Sequence, residues 1–133
     1  MKKMTLLLLF AMLLLTACTQ RETVGVYAKS MDWNVTIRYD PEGNQYVETA
    51  AVEYIGQGKN VHDAQVDILY SNGSFTGNRL QQENLEHAGV VELITRTKVK
   101  RWKDTQTVRI TWSDDKQTFE ETIKVKEQPQ PSN

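Results

Sequence analysis

The sequence predicts an all-β fold, a seven-stranded antiparallel β-sandwich, and three observations carry that prediction. Apolar and polar residues alternate with a period of two through most segments between residues 31 and 126. Turn-forming clusters recur about every 8 to 15 residues, and no segment repeats an apolar face at helical spacing. A small eight-stranded β-barrel is the alternative that the same alternation permits.

Taken in order, Val24, Val26 and Ala28 alternate within a short mixed stretch that can close on a first strand. Trp33, Val35, Ile37 and Tyr39 alternate with Asn34, Thr36 and Arg38, the pattern of a half-buried strand. Asp40-Pro41-Glu42-Gly43-Asn44 turns the chain, because Pro presets φ and Gly accepts positive φ. Residues 45–55 are rich in Tyr, Val, Thr and Ala and read as a strand, which Gly56-Gln57-Gly58-Lys59-Asn60 interrupts. Ala64, Val66, Ile68 and Tyr70 form the next inward row. Asn72-Gly73 then signals a hairpin, and residues 75–80 return. Residues 81–89 surround Leu85 with helix-tolerant residues and suffice for one turn.

In the last third, Val91, Leu93, Thr95, Thr97 and Val99 take one strand face, while Glu92, Ile94, Arg96, Lys98, Lys100 and Trp102 take the other. Val108, Ile110 and Trp112 form another inward row, residues 114–117 turn, and Phe119, Ile123 and Val125 come back. Glu121 falls in the inward parity of that last strand, which requires either a bulge or a partly buried acid. Gln128-Pro129-Gln130-Pro131 cannot extend a sheet, so residues 127–133 are expected to be a disordered tail behind a sandwich of residues 32–126.

The N-terminus has a different character. Lys2 and Lys3 precede the ten uncharged apolar residues Leu6–Leu15, and Thr16 and Ala17 are small. A membrane-spanning helix needs roughly 20 apolar residues, so this run has the length of a leader rather than of a permanent span. Cys18, the single cysteine of the chain, follows at once. Leu15-Thr16-Ala17-Cys18 resembles the lipobox of bacterial lipoproteins: a branched aliphatic residue, a small residue, Ala or Gly, and Cys. The resemblance covers residues 1–18. It implies that residues 1–17 are a signal peptide removed after Ala17, and that the Cys18 sulfur carries a diacylglycerol, with palmitate among the expected acyl chains.

Acyl burial is worth roughly 0.8 kcal/mol per CH₂, and one short chain holds a protein only marginally, so two chains on one sulfur are an effective anchor. The domain is thereby expected in the cell envelope, lipid-anchored to the cell membrane or an outer membrane on its extracytoplasmic side. Residues 18–31 form the lipidated N-terminus and tether. The thirteen residues after Cys18 span at most roughly 43 Å when fully extended. The strand pattern also loosely resembles the small immunoglobulin-like or fibronectin-III-like modules of bacterial surface lipoproteins.

Processing leaves 116 of 133 residues, one domain in size, and moves the formal net charge from −1 to −3. That mild acidity argues against nucleic acid as a partner. The sharpest local charge feature is Arg96, Lys98 and Lys100 on one strand face, with Trp102 at its end and Arg101 and Lys103 alongside. Such a ladder suits anionic lipid headgroups, an anionic cell-wall polymer or an acidic face of an envelope protein. The same pattern also keeps sheet edges from pairing, and cross-strand acids such as Glu53 or Glu120 could neutralise it.

His62 beside Asp63, and Glu83 four residues before His87, supply too few ligands for a zinc site, and they read as surface residues. Asp40, Glu42 and Asn44 alternate oxygens but lack the closing acid of a calcium loop. No nucleophile-elbow glycines surround any serine, and no glycine-rich phosphate cradle is present. The expectation is a non-catalytic binding or accessory module without cofactor or metal. A structural or assembly subunit of an envelope complex is the alternative.

Overall fold

A computed structural model describes residues 21–128, apart from Ile94 and Arg96. Ten strands form among these residues: β1 (Val24–Lys29), β2 (Trp33–Glu42), β3 (Gln45–Tyr54), β4 (His62–Tyr70), β5 (Phe75–Arg79), β6 (Val90–Leu93), β7 (Lys98–Val99), β8 (Thr105–Ser113), β9 (Thr118–Lys124) and β10 (Lys126–Glu127). One helical turn, α1 (Leu85–Ala88), lies where residues 81–89 predicted it, and a 3-10 turn covers Trp102–Asp104. The strands make two antiparallel sheets, β10-β1-β2-β3-β6 with β7 also on β3, and β5-β4-β8-β9. No barrel closes, which removes the alternative architecture.

Counting the interrupted β6/β7 as one strand, β2, β3 and β6/β7 correspond to A, B and E, and β4, β5, β8 and β9 to C, C′, F and G. This is an immunoglobulin-type order without a D strand. The seven expected strands are these, and β1 and β10 are additions on the β2 side.

Period-2 alternation builds the core directly. Trp33, Val35, Ile37 and Tyr39 project from β2 with no exposed surface, opposite Val66, Ile68, Val108 and Ile110 of the other sheet. Each such side chain contributes roughly 1.5–3 kcal/mol of burial. Gly43 and Asn44 alone connect β2 to β3, and Gly43 takes φ +59°, as primed hairpin turns demand. The Asn72-Gly73 connection is longer than a two-residue hairpin. Tyr70 pairs across to Ser74, the Asn72 carboxamide oxygen accepts from the Ser74 N–H at 2.9 Å, and only Gly73 has positive φ. Glu121 is the partly buried acid rather than a bulge. β8 and β9 keep regular register through Ile110↔Glu121, and Ser30 Oγ donates to Glu121 Oε2 at 2.9 Å.

Both expected domain boundaries move outward. β1 pairs with β2 along its whole length, and Val26 and Ala28 are buried, so the folded unit begins by Val24 rather than at residue 32. At the other end β10 pairs Lys126 with Tyr27 and Glu127 with Val26, and the Gln128 N–H donates to the Gly25 carbonyl, so residues 127 and 128 belong to the sheet. These two residues pair through backbone alone, with exposed side chains, which leaves no alternation to read. Residues 129–133 and the leader lie outside the described residues.

The two ends of the sandwich differ. At one end Trp33 packs edge-on against Tyr54 and Trp112 (centroids 5.1 and 5.4 Å), and Trp112 stacks on Phe119 at 5.3 Å. The other end holds the β2/β3 and β4/β5 hairpins, the start of β8 and, because Val24 pairs with Tyr39, the N-terminal entry of the chain. Trp33 is the keystone of the aromatic end. Trp33→Ala is expected to lower stability by about 3–5 kcal/mol in urea unfolding, and Trp33→Phe by clearly less.

Candidate functional site

The expected cationic ladder is not a continuous strand face. Between the pairs Ala50↔Leu93 and Val47↔Lys98, β3 contributes two residues and the facing segment contributes four, 94–97. The strand is interrupted there, and after β7 the chain leaves the sheet and enters the 3-10 turn that carries Trp102 and Lys103. Two extra residues preserve parity, so Leu93 and Val99 both still face inward although the strand between them is broken. Arg96 lies outside the described residues.

A buried acid organises this interruption. Glu48 stands on the inward face of β3 with no exposed surface. Tyr39 of β2 donates to its Oε2 at 2.9 Å, and Tyr70 of β4 donates at 2.8 and 3.0 Å. The Thr105 hydroxyl bonds Tyr39, while Thr76 bonds both Tyr70 (2.9 Å) and Thr97 (3.3 Å). The Glu48 backbone takes part too: its N–H donates to the Thr97 carbonyl at 2.9 Å, and its carbonyl accepts from Thr95 Oγ1 at 2.7 Å. Segment 95–105 is thus pinned on both sides of β7. Burial pushes the Glu48 carboxyl above the usual carboxylate range, and the two tyrosyl donors only partly oppose it. Burial likewise raises Tyr39 and Tyr70, which remain neutral donors.

Above this network the pinned segment opens a groove of about 530 Å³. Lys100, Arg101, Trp102 and Lys103 line it, as the sequence grouped them, and they are joined by Arg21 and Tyr46. The Arg21 guanidinium lies 5.6 Å from the Tyr46 ring centroid, and Lys103 Nζ lies 5.2 Å from that of Trp102. Asp104 is the one acid in the lining. Arg101 grips it through Nη2 at 2.7 Å and Nε at 3.2 Å, which holds its carboxyl below the usual range. Lys98 faces a neighbouring cavity and pairs with Glu42 at 3.3 Å, not with Glu53 or Glu120. Among the described residues, Lys100 and Lys103 have no carboxylate within ion-pair distance. Arg21 was absent from the expected face because it lies far away in sequence. Its only signal was its place beside an N-terminal entry whose position depends on the sheet order.

The remaining candidates are elsewhere. His62, Asp63, Glu83 and Asp115 line a cavity of about 490 Å³ near the aromatic end. Two of its three acids are engaged: Asp63 bonds both Arg79 and His62, and Asp115 bonds Asn60. Glu83 precedes α1, so it does not share a helical face with His87. Asp40 pairs with Arg38, and Glu42 with Lys98. Among the described residues no group of three potential metal ligands converges. Cys18 lies outside them.

Comparison with protein-family models, with curated proteins and with solved structures finds no match for this chain.

The buried acid has a pH signature. A folded-state pKa above the unfolded value means that the native protein keeps a proton the unfolded chain has released, so stability is drawn down as pH rises. Glu48→Gln carries no such proton. Its stability relative to the wild type is therefore expected to improve progressively as pH rises above Glu48's ordinary value near 4.5. Each unit of displacement is worth about 1.4 kcal/mol. Urea unfolding at acidic, neutral and mildly basic pH measures this; a difference that stays constant with pH would contradict it.

Proposed function

We propose that this chain is a lipid-anchored extracytoplasmic module, held at a membrane through Cys18, that binds an anionic partner and performs no catalysis. The observation that carries the reading is the groove. Four cations, Arg21, Lys100, Arg101 and Lys103, share an open surface with two aromatic rings and a single acid that is already paired. Such a surface attracts anions by charge and gives them flat apolar contact at the same time. The lipobox-like residues supply the location. The His62 cavity supports catalysis less well, since no hydroxyl or thiol side chain lines it.

A strand-edge role in an envelope assembly is the second reading, and one observation favours it. β5 is an outer strand of its sheet, and Phe75 at its start is 59% exposed. That reading predicts self-association or capture of a second chain through β5, which Phe75→Pro would disrupt.

Two measurements test the leading reading. Radiolabelled palmitate is expected to enter the wild type and not Cys18→Ser, which should also leave the membrane fraction. Cross-linking in intact cells followed by purification should recover an anionic partner with the wild type. The triple change Lys100→Ser, Arg101→Ser, Lys103→Ser should lose that partner while the thermal midpoint is retained, as exposed positions allow. Undiminished recovery with the triple variant would remove the groove from the reading.

A further inference from the structure

The geometry points to the occupant of the groove: we infer that it seats on the anionic phospholipid headgroups of the same membrane that holds the anchor, so that the domain stands end-on. This rests on the lipid-anchored reading and names the ligand class of its site.

Distance is the first argument. Arg21 is the third residue after Cys18, and three steps of no more than about 3.6 Å each span at most about 11 Å. Arg21 is itself part of the groove, with its guanidinium over Tyr46. A lipidated Cys18 therefore holds the groove close to the headgroup layer, within a distance comparable to the roughly 8 Å Debye length at physiological salt. The thirteen-residue tether expected from sequence would have left the domain free to turn. With β1 folded from Val24, little slack remains.

Charge is the second argument. The groove residues sum to +3, Asp104 included, whereas the rest of the processed chain is net −6. An anionic surface pulls this end toward itself and repels the remainder, which selects one orientation as well as a location. The third argument is Trp102. It is half-buried on the groove wall beside Lys100, Arg101 and Lys103, and an indole with cations around it suits the interfacial zone of a bilayer. A wall polymer or an acidic protein would have to enter the narrow space between the domain and its own anchor. Headgroups are already there.

End-on seating leaves the aromatic end facing away from the membrane. There Met31, 91% exposed, and Ile55 border an apolar groove of about 500 Å³ with Trp112 and Phe119. The nine residues of β4 set the two ends about 30 Å apart.

The tryptophans make the test direct. Trp33 and Trp112 are buried at the far end, so Trp102 is the one that a quencher in the bilayer can reach. The lipidated chain is reconstituted into vesicles of phosphatidylcholine containing a brominated phosphatidylcholine, with or without phosphatidylglycerol. Flotation reports the anchor, and tryptophan quenching reports the groove. The expected result is quenching in the anionic vesicles that largely disappears in neutral ones, in Trp102→Phe, and in about 1 M salt, where the Debye length falls to about 3 Å. Flotation should persist in all of these. Each of Lys100→Ser, Arg101→Ser and Lys103→Ser should weaken the contact about fivefold, with far-ultraviolet circular dichroism confirming the fold.

Equal quenching in neutral and anionic vesicles, or none in either, overturns the inference when flotation is intact. If the triple variant then still loses a co-purifying protein or polymer in cells, the groove is a binding site for that partner and the proposed function stands without this occupant. Failure of the wild type to float removes the anchor, and both fall together.

Discussion

A carboxyl group held by hydroxyls and sealed between two sheets is the constraint on which the groove end of this protein depends. Glu48 comes from one sheet, and the hydroxyls that satisfy it and its tyrosyl partners come from both: Tyr39 from β2, Tyr70, Thr76 and Thr105 from β4, β5 and β8. Hydrophobic contact between sheets is non-directional and tolerates sliding, whereas a network of directed bonds does not. The alternative to satisfying these groups is a desolvated polar atom, which costs more than the bond gains. The network therefore fixes how the sheets meet at this end. Through Thr95, Thr97 and Thr105 it also fixes the irregular segment whose side chains make the groove.

The two ends of the sandwich solve different physical problems. At the far end packed indole, phenol and phenyl rings close the core by shape. At the near end the chain enters, two hairpins turn and a strand is broken by two extra residues, so backbone groups leave the ladder and need side-chain partners. Threonine hydroxyls and the Glu48 main chain supply them. An end built in this way can carry an irregular turn such as Trp102–Asp104, which a regular strand could not accommodate, and that turn brings Lys100, Arg101, Trp102 and Lys103 around one opening.

Much of this was legible in the sequence wherever side-chain alternation reports burial. The rows led by Trp33, Ala64 and Val108 face inward as read, and Glu121 is the buried-side acid that its parity required. What alternation could not show was an insertion of even length. Two extra residues between Leu93 and Lys98 leave every inward residue in phase, so a broken strand reads as a continuous one. It was equally silent on β10, whose pairing is carried by main-chain atoms. Glu48 did leave a trace, since it shares parity with Tyr46, Ala50 and Val52 on a strand opposite Tyr39, and an acid in an inward row beside a tyrosine calls for a hydroxyl-satisfied carboxyl. Arg21 left only its place beside the N-terminal entry, because its neighbours in the groove are contributed by β3 and by the chain about eighty residues later.

On the proposed lipid-anchored reading, the closeness of Cys18 to Arg21 in sequence changes what weak contacts at the groove can achieve. Exposed cations meeting lipid phosphates are individually weak and screened by salt, and alone they would not hold a protein of net charge −1 at a surface. With such an anchor, a link of at most about 11 Å alters the comparison, because a second contact made beside the first is intramolecular and its effective concentration is highest when the link just spans the two sites. On the proposed lipid-anchored reading, residence comes from the acyl chains, and the groove needs only to discriminate among orientations. A difference of about 1.4 kcal/mol between end-on and tilted poses already gives a tenfold preference. An open, shallow, salt-sensitive cluster of cations is adequate for that role, and a deep selective pocket is unnecessary.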